Sequence, residues 1–440
     1  MVAKKLTSDL KQKLIQQALQ RKLKHVETDA AKPLVAIEKT AVPDKFYRFD
    51  QHPGYIQMQI MNKGAEQLGV KSPFFRVHEG IAGATTIINN RELINFASYN
   101  YLGLSGHPEV NQAATEALER YGTSVSASRI VAGERPIHQQ LEQALAKAYG
   151  VEDAVVYVSG HATNVSTLGY LFGAKDLIIH DEYTHNSAIV GAQLSGARRL
   201  SFPHNNLAAL EQLLQEKRHQ FERVVIVVEG LYSMDGDFPD LKRLVELKRQ
   251  YRVFLMVDEA HSFGVLGKTG KGLRELSQVP AADVDIWMGT LSKALSGCGG
   301  FIAGESALVE NLRHLSPGFL YSVGIPAPIA AAAIKSLEIM EREPSRVDRL
   351  HSISDYFIHK AKALKLNIGE SKGIAIIPIT LGSSVKAAQI SSALFDQGIN
   401  VQPILYPAVP EKSARLRFFL SCEHTQEQVD TTLDTLVTLL

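Results

Sequence analysis

Between residues 139 and 305 short apolar runs alternate with stretches in which apolar side chains recur every three or four positions. Short apolar runs bounded by polar or turn residues predict buried strands, and the three-to-four spacing predicts helices. Strands are expected over 154–158, 177–180, 199–202, 224–229, 254–258, 286–289 and 301–303, with helices over 139–149, 164–171, 186–194, 207–219 and 241–251. Such alternation implies βαβ units and a mostly parallel sheet covered on both faces, an α/β class. We place this large domain at 96–305. Upstream, 75–97 reads as a β-ribbon turning at Asn89-Asn90, and a helix begins near Pro108. Downstream, 306–350 reads as a helical connection interrupted over 321–328. A small C-terminal α+β domain (351–440) follows, with strands over 374–381, 399–406 and 416–420 and helices over 385–397 and 425–440.

Residues 1–95 form an N-terminal extension. Within 1–24, Leu6, Leu10, Leu14, Ile15, Ala18 and Leu19 recur at helical spacing among basic residues. This predicts a basic amphipathic helix that packs on the body or a partner; it lacks the aromatic anchors of a membrane-surface helix. Residues 27–43 read as a linker, and 44–70 as a helix and loop.

Composition narrows the class. Among 440 residues, 47 basic and 46 acidic side chains leave a net charge of +1, without the basic excess of a nucleic-acid binder. The two cysteines, Cys298 and Cys422, are isolated, so neither a disulfide framework nor a zinc cluster is expected. No apolar run reaches transmembrane length, and the N-terminus lacks the apolar core of a secretory signal. A cytoplasmic protein without a metal site is expected.

Ligands of parallel α/β sheets bind at the carboxyl ends of the strands, and polar residues gather there. Ser159-Gly160-His161 follows the first strand and Asp181 to His185 the second. His204-Asn205, Glu229 to Asp235, Asp258 to His261, and Thr290 to Lys293 follow the next four. Asp258-Glu259-Ala260-His261 spells a helicase-like acidic motif, and Gly264 to Thr269 looks like half a phosphate loop. Ser262 stands where that loop needs a glycine, and the order of the two motifs is reversed, which excludes an NTPase. Singly, Lys293 reads as a solvated loop lysine and Asp258 as a helix cap or core ion pair. Jointly they suit an aldehyde carried on a phosphorylated pyridine ring. That ligand needs a lysine for a Schiff base, a carboxylate facing the ring nitrogen, a flat side chain against the ring, and a phosphate cup.

Six stretches carry a family resemblance. They are Ser98-Tyr99-Asn100-Tyr101-Leu102-Gly103-Leu104, Ser126-Ala127-Ser128-Arg129-Ile130-Val131-Ala132-Gly133, Glu229-Gly230-Leu231-Tyr232-Ser233-Met234-Asp235-Gly236-Asp237, Val257-Asp258-Glu259-Ala260-His261-Ser262, Gly289-Thr290-Leu291-Ser292-Lys293 and Ala414-Arg415-Leu416-Arg417. In this order the chain resembles the α-oxoamine synthases, fold type I enzymes that use pyridoxal 5'-phosphate. The resemblance implies that Lys293 is the Schiff-base lysine and α-proton base, that Asp258 partners the pyridinium nitrogen, and that His185 stacks on the ring. It assigns His261 and Ser233 to the phenolic oxygen. It assigns Gly160, His161, Thr290 and Ser292 to the phosphate, and Arg417 to the substrate carboxylate. Tyr99 and Asn100 fall at the mouth. Ser322 falls in a segment that reaches a neighbouring subunit's phosphate site, which implies a homodimer. Two positions depart from the pattern: His161 replaces an aromatic residue, and Val323 a second hydroxyl. The implied reaction is a decarboxylative condensation of an amino acid with an acyl thioester, giving an α-aminoketone, CO2 and thiol. The alternatives are another fold type I activity, such as an aminotransferase, or a non-catalytic subunit. The extension, with Tyr99-Asn100-Tyr101 and Gly160 to Asn164, resembles modules of polyketide or fatty-acyl assembly lines. This points to an acyl carrier protein as donor, with coenzyme A as the rival.

Overall fold

The structure, a computed structural model, describes residues 42–67 and 72–440. The basic helix expected over 1–24, and all but the end of the 27–43 linker, lie outside these residues. Seven strands form the central sheet: β3 (Asp153–Tyr157), β4 (Leu177–Asp181), β5 (Arg198–Phe202), β6 (Val224–Glu229), β7 (Phe254–Asp258), β8 (Ile286–Thr290) and β9 (Gly300–Gly304). They follow the upstream ribbon, β1 (Thr85–Ile88) and β2 (Arg91–Asn95). The spatial order is β3-β9-β8-β7-β6-β4-β5. The pairs among β4 to β8 are parallel, whereas β9 runs antiparallel to both β3 and β8. Every residue of β4, β6 and β9 is buried, as expected for strands covered on both faces.

Helices Asn186–Leu194 and Leu241–Tyr251 coincide with the periodicity that predicts them. The helix expected over 164–171 starts earlier, at Gly160, because the Ser159 hydroxyl accepts from the Ala162 N–H at 3.0 Å and caps it. Gly160 and His161 therefore open a helix rather than a loop. The connection expected over 306–350 is broken into Ser306–Leu315, Pro317–Leu320 and Ala327–Arg342. Helix Ser345–Ala363 runs unbroken across the boundary drawn at 350/351, so the connection and the small unit share that helix.

The small unit holds an antiparallel sheet, β10-β13-β12, built from β10 (Ile376–Thr380), β12 (Gln402–Ile404) and β13 (Arg415–Phe419). The single strand expected over 399–406 is split at Val401. Its first part, β11 (Ile399–Asn400), pairs in parallel with β2 of the ribbon. The ribbon, assigned from sequence to the N-terminal extension, thus joins the C-terminal unit by main-chain hydrogen bonds.

Candidate active site

At the carboxyl ends of the parallel strands, a cavity of about 390 Å³ is walled by residues from seven places in the chain. Neighbouring strands β6 and β7 end in register on two carboxyls, Glu229 and Asp258, both buried. Asp258 Oδ2 accepts from Asn164 Nδ2 at 2.8 Å, and Oδ1 from the Ala260 N–H at 2.9 Å. The second Asn164 N–H reaches Ser187 Oγ at 2.9 Å, and that hydroxyl lies 2.7 Å from His185 Nδ1. Because Nδ1 also accepts from the Ser187 N–H at 3.2 Å, the ring proton belongs on Nε2. A chain of hydrogen bonds thus ties the imidazole of His185 to the carboxylate of Asp258.

His261 is set differently. Its Nδ1 is 2.8 Å from the Tyr101 hydroxyl, and its ring lies parallel to Phe419 at 6.1 Å. Burial holds the Tyr101 phenol well above its ordinary pKa. The phenol therefore stays protonated and donates, leaving His261 Nε2–H as a donor at the cavity wall. Burial, with Lys293 adding to it, holds His261 well below its usual value, so the ring is neutral. Burial also lowers His185, against the pull of Asp258.

Lys293 stands in the hairpin between β8 and β9, with its Nζ 5.4 Å from the Tyr99 ring centroid. Leu291 N–H donates to Gly299 O and Gly297 N–H to Leu291 O, which closes the loop. Burial brings the amine down to about 8, with Asp258 and Glu229 opposing. Beside it, Thr290 Oγ1 donates to Gly299 O at 2.9 Å, and the Ser292 N–H donates to Thr290 Oγ1 at 3.2 Å. The hairpin meets the helix starting at Gly160 through glycines. A Cβ at Gly300 would stand 2.5 Å from Thr163 Oγ1 and 2.7 Å from Gly160 Cα. That closeness brings Thr290 and Ser292 up to a helix N-terminus, a natural cup for an anion. From the small unit, Arg417 on β13 donates to the Ser233 carbonyl at 3.0 Å, and its guanidinium lies 4.5 Å from the Phe419 ring centroid.

The cavity thus gathers Tyr99, Gly160, His161, His185, Ser233, Asp258, His261, Thr290, Ser292, Lys293 and Arg417. Asn100 differs: it is buried, and its amide bridges the main chain of Ser105. It lines a second cavity of about 330 Å³ that shares Tyr99, Ser292 and Lys293 with the first. Ser322 lines neither cavity. Sequence reasoning passed over Asn164, Ser187 and Glu229 as site residues. The available signal was a polar pair, Asn164 and Ser187, on two helices otherwise rich in small and apolar residues. Burial, followed by the neighbouring Asp258, holds Glu229 well above the usual carboxyl range.

The wall fits pyridoxal phosphate. It offers a lysine of lowered pKa, a carboxylate, a flat imidazole and a helix N-terminus. Among the described residues, two buried wall atoms, Asn164 Oδ1 and Arg417 Nε, have no partner within the chain. Fold and wall together define a fold type I pyridoxal-phosphate enzyme. The family model for aminotransferase class I and II matches residues 91–436. An 8-amino-7-oxononanoate synthase of Symbiobacterium thermophilum is 40% identical over 370 residues, covering 84% of this chain and 94% of that protein. A 4-hydroxy-2,2'-bipyrrole-5-methanol synthase of a Serratia species is 39% identical over 344 residues, 78% of this chain and 52% of that protein. A solved serine palmitoyltransferase of S. paucimobilis, with bound PLP–myriocin, superposes with a TM-score of 0.84 at 28% identity, covering 88% of this chain and 97% of that one. The chain belongs to the α-oxoamine synthase family. Its cofactor is pyridoxal phosphate, and its reaction is the decarboxylative condensation of an amino acid with an acyl thioester.

Proposed function

We propose that Lys293 holds the cofactor's aldehyde and then serves as the base at the substrate's α-carbon. The observation that carries this is an amine of lowered pKa in one cavity with a buried, hydrogen-bonded Asp258. The bound cofactor supplies a carbonyl for amines and a ring that accepts an electron pair from the α-carbon. Asp258 would hold the ring nitrogen of the bound cofactor and favour the protonated ring. His185 would pack its imidazole against that ring. His261 Nε2–H and the Ser233 hydroxyl donate to the phenolic oxygen. The first-turn N–H groups after Ser159, with Thr290 and Ser292, take the phosphate. Arg417 binds the amino acid's carboxylate with its guanidinium fork. Lys293 removes the α-proton, and the α-carbon bonds to the thioester carbonyl as the thiol leaves. The substrate carboxyl then departs as CO2, and a proton returned by Lys293 completes the α-aminoketone. Replacing Lys293 with Ala tests this. The variant should lose the visible absorption of bound cofactor and all thiol release; retained turnover would refute the assignment.

The thioester is carried by an acyl carrier protein on this reading. Support comes from the basic 1–24 segment, which suits an acidic carrier, and from exposed Phe46, Tyr47, Phe49 and Phe75 ahead of the matched core. Thiol release with acyl-carrier and acyl-coenzyme A donors of one chain length decides it, and equal efficiency refutes the carrier. The active form is a homodimer. Ser322 lines neither of the two site cavities and sits beside exposed Tyr321 and Val323, which supports reading it as part of a partner's phosphate cup. A monomer by light scattering would overturn this. Among the described residues no helix is long and apolar enough to cross a membrane.

A further inference from the structure

The loop over 230–237 leaves β6 beside the cavity and is fastened on two sides. The Tyr232 N–H donates to Asp237 O, and the Gly236 N–H to Tyr232 O, both at 2.8 Å. Toward the small unit, Arg415 donates to Met234 O at 2.9 Å and to Asp235 Oδ1 at 2.6 Å. Arg417 donates to Ser233 O, and the Lys372 N–H to Gly236 O at 2.9 Å. Gly236 abuts β10: a Cβ there would stand 2.0 Å from Ile376 O.

Toward the large sheet the fastening is a buried charge cluster. His204, just past β5, has Nε2 at 2.9 Å from Asp237 Oδ2 and Nδ1 at 2.9 Å from Asp181 Oδ1. Asn205 reinforces both contacts: its N–H donates to Asp181 Oδ2 and its amide to Asp237 Oδ2, each at 2.8 Å. The His204 N–H also donates to Glu182 Oε1 at 2.8 Å. Tyr183 stacks on the imidazole at 4.4 Å, and Tyr232 meets it edge-on at 4.5 Å. With a carboxylate on each ring nitrogen, both nitrogens donate. Burial alone would lower the ring's pKa, but Asp181 and Asp237 lift it to about 10. The cluster does not line the cavity, and the chemistry derived above makes no use of it.

We propose that His204 is a positioning residue: held by both ring nitrogens between Asp181 and Asp237, it clamps the 230–237 loop to the large sheet and so fixes Ser233 and Arg417 over the cavity. This rests on reading Arg417 as the carboxylate anchor and Ser233 as a donor to the cofactor. The Ser233 carbonyl is the support that Arg417 leans on; the loop's start is tied to β7 by the Gly230 N–H donating to Asp258 O at 2.7 Å, and its far end is held to the large sheet by this cluster. Removing the cation leaves two carboxylates facing each other in a poorly solvated place, where like charges repel strongly. The loop then moves with the small unit.

The test uses the holoenzyme of His204→Gln. Amide exchange over 230–237 should quicken. The KM for the amino acid should rise about tenfold, with kcat and the thioester KM within about threefold, the scale of a sub-ångström displacement. The visible absorption maximum of the bound cofactor should shift as Ser233 drifts. If His204→Gln fails to fold, Asp237→Asn removes the loop's charge in nearly the same shape and is judged by the same three readouts. Arg417→Lys is measured in parallel. If that variant keeps the native amino-acid KM, the anchor reading fails, and loop exchange alone still judges the clamp. A lowered melting temperature with unchanged exchange, KM and spectrum overturns the proposal.

Discussion

Asn164 offers a direct test of how the cavity holds its charge. The perturbation is Asn164→Ala. It removes the 2.8 Å donor to Asp258 Oδ2 and the 2.9 Å donor to Ser187 Oγ. A hydrogen bond to a charged group contributes about 1.5–3 kcal/mol. At about 1.4 kcal/mol per tenfold, this range spans roughly 10- to 150-fold in an equilibrium constant. Asp258 keeps the Ala260 N–H at 2.9 Å, and Asn164 Oδ1 has no partner to lose. The low end applies, so cofactor affinity should fall about tenfold. His185 loses part of its support at the same time, because Ser187 Oγ no longer has a fixed donor. The assay is titration of the apoenzyme with pyridoxal phosphate, followed by quenching of Trp287 fluorescence and by visible absorption. A dissociation constant within twofold of the parent would refute the claim that Asn164 holds the Asp258 charge in place.

Two further outcomes follow from the same geometry. In the apoenzyme, the Lys293 amine at about 8 lies below its ordinary 10.5. Below pH 8 folded and unfolded chains both carry that proton, and burying it costs stability. As pH rises from about 8 to 10.5 the unfolded chain holds more protons, so stability increases with pH over that window. The melting temperature of the parent relative to Lys293→Met should therefore climb across the window, and a flat difference would contradict it. Gly300→Ala forces a Cβ to 2.5 Å from Thr163 Oγ1 and 2.7 Å from Gly160 Cα. Overpacking of this kind costs about 1–3 kcal/mol, so the urea midpoint should drop and phosphate-dependent cofactor binding should weaken; an unchanged midpoint would show that the hairpin and helix are not packed as described.

Much of the large domain was legible because buried parallel strands are written as short apolar runs. The run 224–229 coincides with β6, and 254–258 with β7. Polar residues after those runs land on the cavity wall because successive parallel strands end at one edge. Pairing partners were less legible. Nothing local states that β9 runs antiparallel between β3 and β8, or that Ile399–Asn400 leaves its neighbours to pair with β2. Both depend on contacts far apart in sequence. Asn164 was missed for a related reason. Its function is set by Asp258, 94 positions away, whereas within its own helix it is one polar residue among others. Ser159 was visible as a cap only once the helix start was known.

The hairpin that carries Lys293 has a consequence for how the enzyme assembles. β8 and β9 are consecutive strands, joined from Thr290 to Gly300 and paired across that span. Closing so short a loop carries little entropy cost, whereas the parallel pairs of the sheet must close over whole helices. The attachment point proposed at Lys293 is therefore shaped by neighbours in sequence, and the carboxylate and imidazole proposed to hold the ring arrive through distant contacts. In folding order, a chain able to tether the aldehyde precedes one able to recognise it. Excess cofactor present during refolding can then be captured by a nascent hairpin before the specific pocket exists.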